Sequence, residues 1–143
     1  MRIDRVLTAS LVALACAGPN GASSGAGPAG GELAASVGVE VRSDSVRFGF
    51  HVTNVSRRVL HFTFPTSQRY DFIVETESGE PVWRWSEGRA FAQGQAEVRL
   101  EPGESWDMRA SWIPRDLSGR FVVTGQLASR AATVRQQAAF ELP

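Results

Sequence analysis

The chain has 143 residues, 43% hydrophobic and 21% charged, which is the size and balance of one globular domain. Its 15 cationic residues are all arginine and are matched by 15 acids, scattered rather than gathered. That leaves no net field to attract nucleic acid or an anionic membrane surface. The single cysteine rules out an internal disulfide, so the fold must be held by its core.

The first sixteen residues read as an export leader. Arg2 and Arg5 precede a short run of small and apolar residues from Val6 to Ala15, too short to span a bilayer. The run ends at Ala13-Leu14-Ala15-Cys16, small residues before a lone cysteine, as in a bacterial lipobox whose thiol is acylated. We expect Cys16 to be a lipid anchor, the chain's one link to a membrane, holding the protein in the cell envelope. The same residues also fit ordinary cleavage before Cys16, which would leave a soluble secreted or periplasmic protein. Residues 17–35 are mostly glycine, alanine, serine and proline without periodicity, which predicts a flexible linker.

A folded domain is predicted over residues 36–143. Val37, Val39 and Val41 alternate with polar or small residues, the period of a half-buried strand. Val46, Phe48, Phe50 and Val52 repeat the pattern, then Leu60, Phe62 and Phe64, then Tyr70, Phe72 and Val74. Trp83 and Trp85 stand two apart on the next strand and are read as core or rim rings rather than a sugar-stacking platform. Val98 and Leu100 lead into Glu101-Pro102-Gly103-Glu104, with Pro and Gly where a type II turn wants them. Trp106, Met108, Ala110 and Trp112 give the cleanest alternation, followed by strands through Phe121–Leu127 and Ala138–Leu142. Short strands, frequent turns and no sustained helical period predict an all-β, immunoglobulin-like antiparallel β-sandwich.

Several segments resemble one known family. Asn54-Val55-Ser56, Leu60-His61-Phe62-Thr63-Phe64 and Ser67-Gln68-Arg69-Tyr70-Asp71-Phe72-Ile73-Val74 are similar to the intracellular proteinase inhibitor domain BsuPI. The likeness continues through Val82-Trp83-Arg84-Trp85-Ser86, Phe91-Ala92-Gln93 and Leu100-Glu101-Pro102-Gly103-Glu104-Ser105. Ala92 and Gly94 depart from the Thr and Ala that often flank the family's glutamine. The resemblance implies a disulfide-free, immunoglobulin-like binding domain that inhibits a serine proteinase. It transfers no reactive-site residue to this chain.

Other chemistry finds little support in the residues. His51 and His61 would face each other in a hairpin centred on Ser56, but no third metal ligand accompanies them. Asp71, Glu75 and Glu77 read as a solvated face rather than a catalytic pair. Ser86 has no evident base and fails as a nucleophile. Asn54-Val55-Ser56 matches a glycosylation sequon, a weak signal behind a bacterial-type leader. No cofactor, metal site or enzymatic activity is expected.

The expected partner is a protein, in the first instance a serine proteinase. The alternative is an envelope-tethered structural module that binds another protein without inhibiting a protease. Polar residues at strand ends, Gln68, Arg69, Ser86, Arg89 and Gln93, are the expected contact residues. Arg69, Arg89 and Arg115 could each enter a trypsin-like specificity pocket. If loops 66–69 and 86–93 meet at one end of the sandwich, they form a composite surface.

Overall fold

A computed structural model describes residues 25–29 as backbone, and residues 31–130 and 134–143 in full. The leader residues, including Cys16, and linker residues 17–24 lie outside the described residues.

Ten strands are present: β1 (Gly25–Ala29), β2 (Leu33–Val41), β3 (Val46–Asn54), β4 (Leu60–Thr66), β5 (Tyr70–Thr76), β6 (Pro81–Arg84), β7 (Gln93–Leu100), β8 (Ser105–Trp112), β9 (Gly119–Leu127) and β10 (Arg135–Leu142). One antiparallel sheet runs β1-β2-β3-β8 and the other β10-β9-β5-β6, with β4 and β7 forming a separate two-stranded ribbon. This is the expected all-β sandwich.

Alternation explains which faces meet. Along β3, Val46, Phe48, Phe50 and Val52 are buried while Arg47 and His51 point outward. Val37 and Val39 on β2, Phe72 and Val74 on β5, Phe121 and Val123 on β9, and Phe140 on β10 pack into the same core. Phe48 is the pivot between the sheets, with ring centroids 5.9 Å from Phe72, 5.9 Å from Trp83 and 5.7 Å from Phe140. Such pairs contribute about 0.5–1.5 kcal/mol each beyond the area they bury. At Gly125 the facing side chains approach the backbone closely: a Cβ there would stand 2.9 Å from both Phe50 and Val37, so only glycine fits.

Two boundaries differ from the sequence expectation. The folded region begins at Leu33 rather than Ser36, with Leu33 and Ala35 already in the core. Gly25–Ala29, assigned to the linker, pairs with β2 in register from Gly25↔Val37 to Ala29↔Leu33. A glycine-alanine segment shows no side-chain period, but an edge strand needs only backbone donors and acceptors, and Pro28 is tolerated there. The turn at Glu101–Glu104 is as expected: Gly103 has φ 79° and the Glu104 N–H donates to the Glu101 carbonyl at 3.0 Å.

Candidate functional site

The Tyr70-Asp71-Phe72 and Trp83-Arg84-Trp85-Ser86 segments meet around one carboxylate. Asp71 is only 1% exposed, so the solvated face expected for it is corrected. One oxygen accepts the Phe72 N–H at 3.0 Å and the Ser86 N–H at 3.1 Å. The other accepts Arg84 Nε at 2.7 Å and the Ser86 hydroxyl at 2.7 Å. The chain leaving β6 therefore folds across the outer face of β5, which alternation along β5 could not reveal. A buried carboxylate is tolerated here because four donors, one of them cationic, replace its water.

Loops 66–69 and 86–93 do lie together. Ser67 N–H donates to the Ala92 carbonyl at 2.9 Å, Ala92 N–H donates to Ser67 Oγ at 2.8 Å, and Thr66 pairs with Gln93. The five expected contact residues all fall at this end, yet four of them are engaged within the domain. Gln68 donates to the Tyr70 carbonyl at 3.1 Å, and Arg69 donates to the Thr66 carbonyl at 2.9 Å while its guanidinium lies 4.7 Å above Phe64. Ser86 is bonded to Asp71, as described. Arg89 donates to the Trp85 carbonyl at 2.8 Å and stacks 4.5 Å over that indole. Gln93 is exposed at the start of β7.

Aromatic rings build the wall beside these loops. Trp85 stacks on Tyr70 at 4.4 Å and lies 5.9 Å from Phe91, whereas Trp83 stacks on Phe48 and, at 5.9 Å, on Trp112. Both tryptophans are thus partly buried against the core, Trp83 beside Phe48 and Trp112 and Trp85 beside Tyr70. Burial pushes the Tyr70 phenol above its ordinary pKa, with the neighbouring Arg89 charge pulling the other way. The Tyr70 hydroxyl donates to the Arg109 carbonyl at 3.2 Å, tying β5 to β8. A cleft of about 410 Å³ opens here, lined chiefly by Phe64, Arg69, Tyr70, Trp106, Met108 and Leu127.

The same end contains a second polar hub that sequence reasoning passed over. Asn54, fully buried, donates through Nδ2 to the carbonyls of Arg58 at 2.7 Å and Leu100 at 2.9 Å. Its Oδ1 accepts the Ser56 N–H at 2.9 Å and hydroxyl at 2.7 Å. The sequon is therefore an Asx-turn that joins two loops, with its amide inside the protein. Asn at a strand end with Ser two residues on was the available signal.

The histidines do not meet. β3 pairs with β2 and β8, while β4 pairs with β7, so the hairpin expected to oppose His51 and His61 does not form. His51 Nδ1 instead contacts Asp107 Oδ1 at 2.6 Å, and His61 sits opposite Arg99. Among the described residues no three His, Cys, Asp or Glu side chains cluster as metal ligands. Glu77 pairs with Arg120 at 3.8 Å, away from Asp71.

The opposite end of the sandwich carries loop 113–118, between β8 and β9. Ile113 is 63% exposed and Leu117 39%; among the described residues only Val55, at 58%, joins them as an exposed large hydrophobic. Ile113 follows Trp112 and so falls out of phase with the buried positions of β8, a signal that was legible. Asp116 has φ 55°, the one non-glycine residue with positive φ among those described. The loop's roots are firm: Trp112 is buried and lies 6.3 Å from Phe121 on the facing sheet. Of Arg69, Arg89 and Arg115, only Arg115 has no side-chain partner among the described residues.

The family model of BsuPI, intracellular proteinase inhibitor, matches residues 33–132. No curated protein matches the chain. Among solved structures, β-glucosidase 3B from Thermotoga neapolitana in complex with α-D-glucose is 14% identical over 84% of this chain and 16% of its own, with a TM-score of 0.42. The β-glucosidase EmGH1 from Erythrobacter marinus is 17% identical over 85% and 16%, with a TM-score of 0.39. The N-terminal domain of PorA is 9% identical over 72% and 81%, with a TM-score of 0.33. This chain therefore spans about a sixth of each glucosidase, and likenesses this distant transfer no activity to it.

Proposed function

The chain belongs to the BsuPI family of intracellular proteinase inhibitors, and from that membership we infer that it binds a serine proteinase and blocks it without chemistry of its own. The observation that carries this reading is the extent of the match, which runs from the start of β2 past the end of β9 and so takes in three strands of each facing sheet. The sandwich suits the task physically: an inhibitor needs a loop whose shape is held before binding, so that little ordering entropy is lost on association. In this reading Gln68, Arg69, Ser86 and Arg89 serve as framework for the 66–93 end, with Gln93 exposed beside them.

The test is direct. The full chain, titrated into trypsin-like and subtilisin-like enzymes, should abolish activity of at least one at roughly micromolar concentration or below. If every enzyme retains full activity there, the reading is wrong. Export and anchoring through Cys16 belong to the same proposal and have their own assay. Cys16→Ala should move the protein from the membrane fraction to the soluble one, and unchanged membrane association would remove the anchor.

A further inference from the structure

We propose that loop 113–118 is the segment that enters the proteinase, with Arg115 filling a primary specificity pocket that carries a carboxylate. This rests on the inhibitor reading above and goes beyond it by naming the loop, the residue and the specificity class of the enzyme.

Three independent features coincide on this loop. The first is hydrophobic display. Single exposed apolar residues are ordinary, but Ile113 and Leu117 lie four residues apart on one connection and flank an exposed arginine. The second is shape. Pro114 fixes its own φ and steers Ile113 to extended backbone, the conformation in which a peptide lies along an enzyme's binding edge. Buried Trp112 and the start of β9 at Gly119 hold the two roots. The third is an available charge. Arg69 and Arg89 are each bonded to a carbonyl and stacked on a ring, whereas Arg115 is exposed and unpartnered among the described residues. A planar guanidinium and a buried carboxylate make a bidentate pair, the pairing by which trypsin-like pockets select arginine.

Asp116 explains why such a loop would inhibit rather than be digested. Its left-handed backbone turns the chain away directly after Arg115, so the departing side is not extended as a substrate's would be. The bond between Arg115 and Asp116 is then held off the geometry that attack requires.

The experiment compares the full chain with Arg115→Ala, Arg115→Lys and Arg89→Ala against the same trypsin-like and subtilisin-like enzymes. Thermal melts confirm that each variant is folded. The wild type should inhibit a trypsin-like enzyme, and Arg115→Ala should weaken inhibition about 100-fold. Arg115→Lys should recover most of the loss, and Arg89→Ala should change it by less than about threefold. Mass spectrometry after prolonged incubation should find the chain intact at Arg115. Inhibition by wild type that Arg115→Ala leaves untouched would overturn the loop assignment while leaving the inhibitor reading in place. Inhibition confined to subtilisin-like enzymes, or rapid cleavage after Arg115, would overturn it too. Failure of the wild type against every enzyme would instead remove the inhibitor reading itself, and this inference with it.

Discussion

At one end of the sandwich Asn54 and Asp71 are buried, and each side-chain polar atom is bonded. At the other end Ile113 and Leu117 are exposed, and Arg115 between them is exposed and unpaired among the described residues. The first end contains the segments most distinctive in sequence, Gln68 to Phe72 and Trp83 to Ser86. The second contains a loop in which the sequence marks only Arg115 as a candidate contact. The difference teaches that distinctive residue types often mark places where a frame has many simultaneous demands. A loop that need only present side chains satisfies fewer constraints and leaves a fainter trace.

That contrast can be broken or sharpened by measurement. The largest effect is expected from Asn54→Ala, which strips partners from the Arg58 and Leu100 carbonyls and the Ser56 amide. Denaturant melts should show a loss of about 3–5 kcal/mol, and a loss under about 1 kcal/mol would mean the hub does not hold its end. Asp71→Asn comes next, at about 2–3 kcal/mol; the cost is discounted because the Arg84 side chain is 51% exposed and regains water.

A smaller effect concerns Tyr70, the chain's one tyrosine, whose ultraviolet titration is therefore clean. Its phenol should titrate above 10.0, and Arg89→Ala should raise it further by removing the opposing charge. Because the folded-state value is raised, the associated stability is complete below the unfolded-state pKa. It is lost as pH climbs through the folded-state one. A phenol that titrates at its ordinary value would show the rim to be open to water. The smallest effect belongs to the other end: Ile113→Ser combined with Leu117→Ser should shift stability by no more than about 0.5 kcal/mol in the same melts. A larger loss would show that those side chains pack rather than display.

Much of the frame was readable from alternation alone. Val46 to Val52 and Trp106 to Trp112 each bury every second residue or nearly so, and the turn at Pro102-Gly103 carries its own instructions. What escaped was non-local or made by backbone. The β4–β7 pairing depends on a partner thirty-odd positions away, as in His61↔Arg99, so the nearer hairpin with β3 looked equally good. β1 has no side-chain pattern because an edge needs none. Asp71 sits on an outward position of β5 and becomes buried only when Arg84 and Ser86 fold over it. The expectation of contacts at Gln68, Arg69, Ser86 and Arg89 rests on polarity at strand ends. Polarity says nothing of whether a side chain is already occupied.

The placement of β3 has a consequence for how fast the molecule assembles. Its neighbour on one side, β2, is adjacent in the chain, but its other neighbour is β8, and their cross-strand contact at His51–Asp107 spans 56 residues. The central ladder of the first sheet therefore cannot close until β4 to β7 have been gathered in, and the entropy of that loop must be met before the pairing stabilises anything. Refolding on the scale of milliseconds to seconds is the expectation for so non-local a topology. During that interval β3, with Phe48 and Phe50 uncovered, is the strand most exposed to pairing with the wrong chain.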